Sequence, residues 1–118
     1  PGFIQGDLAA ATNVTVYDNT WRSSATQYRN QAIGTRHTYV CPANATTSER
    51  SQTIWGTDMY TDDSPVCVAA VHAGKINFAN GGAVTFEIRG AQTSFTGSTR
   101  NGVTSSPFGS WGGSYRFP

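Results

Sequence analysis

The feature that most constrains this chain is the segment Pro65 to Gly74. It opens on a proline and closes on a glycine, and the residues between them, Val66-Cys67-Val68-Ala69-Ala70-Val71-His72-Ala73, are apolar on nearly every face. Proline is tolerated in a first helical turn because the amide it lacks would have no partner there, and glycine is favoured just past a helix end. A helix that is apolar all round has to be covered on most sides. Its alanines let neighbouring strands come close. Asp62, Asp63 and Ser64 stand immediately upstream. They are residue types whose side chains cap free amides and whose carboxylates complement the helix dipole. The segment therefore reads as a central helix over about 64–73 with Asp62, Asp63 and Ser64 as its caps.

The remaining chain reads mainly as strands. Asn13 to Tyr17, NVTVY, alternates Val14 and Val16 with polar neighbours. Thr35 to Cys41, TRHTYVC, is rich in β-branched and aromatic residues and is stopped by Pro42. TIWG, Thr53 to Gly56, is a further short strand, after a polar surface loop from Ala43 to Gln52. Ala83 to Arg89, AVTFEIR, places Val84, Phe86 and Ile88 on one face and Thr85, Glu87 and Arg89 on the other, as a half-buried strand does. Gln92 to Thr96 and Ser114 to Phe117 are two more candidates, separated by a Gly- and Ser-rich loop from Gly97 to Gly113. Trp21 to Ile33 fits a short helix and an irregular segment equally well. The pattern predicts an α+β fold: one compact domain with a central buried helix wrapped by short antiparallel β-strands. Residues 1–12 lack periodicity and are read as an N-terminal arm leading into a domain over 13–118.

At 118 residues, two domains do not fit. Only 13% of the residues are charged and the net charge is +1, so there is no long-range field to gather nucleic acid. No run approaches the roughly 20 apolar residues of a membrane span. The chain begins at Pro1, without Met or a signal-like run, which reads as a mature, processed chain or an excised piece. Cys41 and Cys67 are too few for a four-ligand zinc site and are not spaced as a CxxC redox pair, so a structural disulfide in an oxidising compartment is favoured. Closing that loop of about 25 residues stabilises by about 3 kcal/mol. Asn13-Val14-Thr15 and Asn44-Ala45-Thr46 are glycosylation sequons, which matter only on a eukaryotic secretory route.

Catalytic and metal chemistry find little support. Asp58, Asp62 and Asp63 could supply oxygen ligands to calcium, but their spacing is not that of an EF-hand, and capping accounts for Asp62 and Asp63 more simply. His37 and His72 lie on a predicted strand and the predicted helix, without metal-ligand spacing to another ligand, and read as core histidines. A nucleophilic triad needs a serine or cysteine joined to a histidine and an acid, and the sequence displays no such convergence. No enzyme activity, metal or cofactor is expected.

Four stretches, WGTDMYTDDSPVCVAAVHAG, NGGAVTFEIRG, STRNGVTS and WGGSYRF, resemble the LCCL domain, a family named after Limulus factor C, cochlin and a lung gestational protein. Its most distinctive run, Tyr-x-Asp-x-Ser-x-x-Cys-x-Ala-Ala-x-His, falls here on Tyr60, Asp62, Ser64, Cys67, Ala69, Ala70 and His72. The resemblance covers about 35 to 117, more weakly 21 to 34. Animal domains of this family usually carry four cysteines in two disulfides, whereas this chain is similar to shorter, two-cysteine microbial members. That leaves Cys41 and Cys67 as the implied pair. The resemblance implies a secreted or cell-surface recognition module that binds glycan, lipopolysaccharide or a protein ligand and does not catalyse.

For a ligand groove the sequence points to the loop carrying Arg100, Asn101, Phe108 and Trp111. Trp55, Phe108, Trp111 and Tyr115 offer flat apolar faces to sugar rings, although each also suits a core. Arg100 and Asn101 offer polar donors, with Asn101-Gly102 reading first as a turn. The alternative function is a structural subunit of an extracellular assembly, a homo-oligomer joined through residues 1–17 to a neighbour's sheet edge.

Overall fold

The computed structural model describes residues 16–18 and 21–118. They form a six-stranded sheet whose order follows the chain only in part: β1 (Val16–Asp18), β2 (Arg36–Cys41), β5 (Gly82–Ile88), β8 (Ser114–Arg116), β4 (Met59–Thr61) and β3 (Gly56–Thr57). A separate hairpin pairs β6 (Thr99–Arg100) with β7 (Val103–Thr104). The pairs are antiparallel, as expected, except that β1 runs parallel to β2, with Val16 opposite Thr38. Of the arm proposed for oligomer contacts, residues 16 and 17 thus lie on the chain's own β2. Residues 1–15 fall outside the described residues.

The sheet's inner face follows from the alternation read in the sequence. His37, Tyr39 and Cys41 of β2 and Val84, Phe86 and Ile88 of β5 all point into the core. The outer face of β5 departs from that alternation at Glu87, whose side chain is only 7% exposed. Arg36, Arg89 and Arg116 converge on its carboxylate at 3.1, 3.1 and 2.9 Å, and their aliphatic stems cover what would otherwise be a solvent-facing position. Burial pushes the Glu87 carboxyl up, but hydrogen bonds and charge from Arg116 and Arg36 outweigh it and hold the group below the usual value.

The central helix is present, and all seven residues of its span, Val66–His72, are buried. It follows α1 (Thr47–Arg50) in the chain and is α2 here. A disulfide joins Cys41 at the end of β2 to Cys67 in the first turn of α2, with Cα atoms 5.9 Å apart. Ser64, Asp63 and Asp62 do not cap it. Pro65 occupies the N-cap position and, among the described residues, no side chain caps the helix. The reason is that these side chains are engaged or placed elsewhere, while the Val66 amide donates to the Ser23 carbonyl at 2.9 Å. A backbone partner from a distant loop takes the place of a local cap.

The loop expected over Ala43 to Gln52 contains the short α1, closed by a capping box: the Thr46 hydroxyl accepts from the Glu49 amide, and the Glu49 carboxylate accepts from the Thr46 amide. The ambiguous segment after Trp21 forms one 3-10 turn, Thr26–Tyr28. TIWG contributes Gly56 to β3 and a single parallel bridge from Trp55 to Ser106.

Candidate functional site

The Gly- and Ser-rich stretch from Gln92 to Trp111 holds only the short β6–β7 hairpin and no strand of the main sheet. Two isolated bridges close it, Gln92 with Trp111 and Phe95 with Phe108. The expected strand Gln92 to Thr96 is reduced to these two contacts. Each is double, with amide-to-carbonyl distances of 2.8 to 3.1 Å in both directions. They present Phe108 and Trp111 side by side, edge to face with centroids 5.5 Å apart, and leave Phe108 43% exposed.

Trp111 is fixed from beneath. Its indole Nε1 donates to Asp62 Oδ1 at 2.8 Å, and the Arg29 guanidinium lies 5.3 Å from its ring centroid. Arg29 in turn holds Asp62 with both arms of its fork, Nε to Oδ2 at 2.8 Å and Nη2 to Oδ1 at 2.7 Å. That contact raises the Arg29 pKa further above its ordinary value. The Asp62 main chain is tied down as well, its amide to the Gly113 carbonyl and its carbonyl to the Ala25 amide. A Cβ on Gly113 would run into Asp62 Oδ2, so only glycine allows this approach.

Two depressions flank Trp111. A narrow cleft of about 60 Å³ is lined by Trp55, Thr61, Asp63, Phe108 and Trp111. A shallow trough of about 400 Å³ lies along Gln92, Thr93, Ser110, Trp111 and Gly112. The four residues singled out from the sequence therefore separate into two pairs. Phe108 and Trp111 meet at the cleft. Arg100 instead pairs with the exposed Asp58 at 2.8 Å, and Asn101 donates to the His72 carbonyl at 2.9 Å, closing the end of α2. Asn101 and Gly102 both have positive φ, 52° and 78°, as the turn reading requires. Tyr115 is fully buried and donates to the Ser64 carbonyl at 2.8 Å, so it presents no face to a ligand.

The residues that resemble the family's signature are turned inward. Tyr60 Oη meets His72 Nδ1 at 2.8 Å, and His72 Nε2 meets the Ser98 hydroxyl at 3.2 Å. Both ring nitrogens are therefore occupied by neutral groups in a side chain with no exposure, which leaves no position for an orienting acid. Burial pushes the Tyr60 phenol up to about 12. Ser64 Oγ accepts from the Trp55 amide at 2.9 Å and lies 2.8 Å from Thr61 Oγ1. His37, stacked on Tyr28 with centroids 3.8 Å apart, bonds Gln31 through Nε2, and burial lowers its pKa. Among the described residues no group of three His, Cys, Asp or Glu side chains could hold a metal ion.

Sequence reasoning missed Arg29 and misread Asp62. Arg29 sits in a polar segment without periodicity, and nothing local marks it. Asp63 was noted as a cap, whereas it lines the cleft beside three aromatic rings.

The LCCL domain model matches residues 14–115. The chain is 43% identical over 77 residues to Clotting factor C of Tachypleus tridentatus, a match spanning 65% of this chain and 7% of that protein. It is 41% identical over 56 residues to Cysteine-rich secretory protein LCCL domain-containing 2 of Homo sapiens, covering 48% of this chain and 11% of the relative. With Vitrin of Homo sapiens the identity is 35% over 71 residues, 60% of this chain and 10% of the relative. The chain thus corresponds to about a tenth or less of the length of these relatives.

Proposed function

Because this chain belongs to the LCCL domain family, we propose that it is a secreted, non-catalytic recognition module whose ligand surface is the Phe108–Trp111 face, and that its ligand class is glycan or lipopolysaccharide. The observation that carries the reading is the mounting of Trp111. A side chain placed only to fill a core does not need a bidentate ion pair to hold it at a surface with hollows on both sides. An aromatic ring fixed in this way meets a sugar ring without first losing rotamer freedom. Phe108, exposed beside it, extends the same apolar face. Secretion is supported by the Cys41–Cys67 disulfide, which persists in oxidising compartments, and by a relative named as a secretory protein.

The test is a glycan array and a lipopolysaccharide-binding assay on the chain and on Phe108→Ala and Trp111→Ala. Binding that both substitutions abolish, in variants that retain the circular dichroism of the parent, supports the reading. Binding that survives both moves the ligand surface elsewhere. Light scattering of the full chain and of a version lacking residues 1–12, run alongside, reports on the alternative of a subunit joined through residues 1–17.

A further inference from the structure

Two features of the narrow cleft are left unexplained by a sugar. The first is its size. At about 60 Å³ it has room for a few water molecules and lies far below the roughly 300 Å³ at which pockets begin to engulf a whole ligand, so a small group fits and a pyranose ring does not. The second is its charge. Asp63 lines the cleft, and its Oδ1 is buried without a hydrogen-bond partner among the described residues. Leaving a carboxylate oxygen in that state is costly unless something supplies the missing charge. Arg29 is near enough to feel Asp63, but its Nε and Nη2 are committed to Asp62 and it makes no hydrogen bond to Asp63 Oδ1. Asp62, Asp63 and Arg29 together therefore leave one negative charge beside the aromatic rings.

We infer that the cleft between Trp55, Phe108 and Trp111 is a site for an alkylated ammonium group, with Asp63 as its counter-charge. Aromatic rings lining a small cavity attract a cation that reaches a ring face, and the attraction strengthens when the cation is desolvated. Trp is the best ring for this, and the cleft has two. A quaternary methylammonium suits it better than a bare ammonium because its methyl groups pack on the rings, whereas a bare ammonium brings three N–H donors to a mainly aromatic lining. The same head is found on choline and on trimethyllysine, and the site as drawn recognises the head rather than the body attached to it. This assignment rests on the reading that the Trp111 face is the recognition surface, and it names a chemistry that the glycan proposal does not.

The experiment follows the three indole N–H signals of the chain in proton–nitrogen NMR spectra, with Trp21, only 1% exposed, as an internal control. The probes are choline, trimethyllysine amide and dimethylbutanol, the uncharged isostere of choline. Choline is expected to shift the Trp55 and Trp111 signals and leave Trp21 in place, while dimethylbutanol at equal concentration moves none of them. Asp63→Asn, which keeps the shape and removes the charge, is expected to weaken choline binding by about tenfold. An equal response to trimethyllysine amide would assign recognition to the head alone, and a response to one probe only would identify the body as well. The proposal is overturned if dimethylbutanol binds as well as choline, if Asp63→Asn leaves the affinity unchanged, or if no ammonium probe produces a shift. A chain that binds glycans on the array yet ignores every ammonium probe overturns this inference and leaves the recognition surface standing. A chain that takes choline at the cleft but no glycan upholds this inference and the recognition surface and overturns the glycan assignment.

Discussion

The segment from Tyr60 to His72 and the face from Gln92 to Trp111 are held in opposite ways. In the first, each recognisable residue is buried and bonded within the chain: Tyr60 to His72, Ser64 to Thr61 and the Trp55 amide, Cys67 to Cys41. In the second, two isolated bridges and the β6–β7 hairpin carry the backbone, and while Phe95 is buried, Phe108 stands at the surface beside a half-buried Trp111. The contrast separates what makes the chain recognisable from what it could use. A signature of buried, mutually satisfied groups specifies a scaffold, because each member loses its partner if another changes. The aromatic face needs only to be positioned, and it borrows one member of the signature, Asp62, for that purpose. Asp62 is where the two regions meet.

Breaking the scaffold should give the largest effect. Replacing Cys41 and Cys67 together by alanine removes the restraint on a separation of 26 residues and should cost about 3 kcal/mol in urea-induced unfolding. Ligand affinity of the fraction that remains folded should be unchanged, since neither sulfur lies at the cleft. A loss of affinity in the folded fraction would mean that the two regions are coupled more tightly than their contacts suggest.

Asp62→Asn tests the joint itself. Breaking a buried ion pair costs about 3–5 kcal/mol when both partners are enclosed, but the Arg29 side chain is 39% exposed and water can compensate it, so about 2 kcal/mol is expected. Unlike the disulfide variant, this one should also release Trp111, seen as a changed indole signal and weaker ligand binding. Lost stability with an undisturbed Trp111 would show that Asp62 serves the scaffold alone.

These two regions also differed in how legible they were. The central helix was visible because proline, glycine and an unbroken apolar run act locally, and β2 and β5 because strand alternation is local too. The caps were misassigned because the amide of Val66 finds its partner at Ser23, far along the chain, and sequence spacing carries no trace of that contact. Glu87 was placed on the open face by alternation, which cannot foresee that three arginines will fold over it. The small helix at Thr47–Arg50 did have a local signal, Thr46 and Glu49 at capping-box spacing, that the polar composition of the segment obscured. At the candidate site Phe108 and Trp111 were singled out for their aromatic faces in a Gly- and Ser-rich loop, and the structure brings the two together at the cleft. Arg100 and Asn101 were grouped with them as polar donors of the same loop, but the β6–β7 hairpin carries them to Asp58 and the end of α2.

A pH titration sharpens the contrast from the scaffold side with a smaller effect. His37 bonds Gln31 through Nε2, and its Nδ1 is buried without a partner among the described residues, so protonation would add a donor with no acceptor among them. Burial accordingly lowers its pKa in the folded state. A group depressed on folding binds its proton more readily when unfolded, so stability is full above the ordinary histidine value of about 6.5 and declines as pH falls through it. Glu87, also depressed, adds a second decline that begins as pH falls through the ordinary carboxylate range. Denaturant midpoints measured between neutrality and mild acid should fall, and His37→Gln should flatten that slope while leaving the more acidic one. A slope unchanged in the variant would remove His37 from the account.

Phe108→Ala should give the smallest stability change and, on the contrast drawn here, the most selective loss. The ring is 43% exposed, and its described ring contact is the edge of Trp111, so truncating it should cost about 1 kcal/mol or less. Its backbone bridge to Phe95 does not depend on the side chain and should persist. Trp111 keeps Asp62 and Arg29, so its indole signal should move only by the loss of a neighbouring ring. Binding, in contrast, should fall for any ligand that uses this face, because the substitution opens the cleft and removes apolar area next to the ring a ligand would meet first. The ratio of lost binding to lost stability is therefore the quantity that separates the two regions, large for Phe108, intermediate for Asp62 and close to zero for the disulfide. If all three variants lose binding only in proportion to lost folding, the aromatic face is no more than the outer surface of the scaffold.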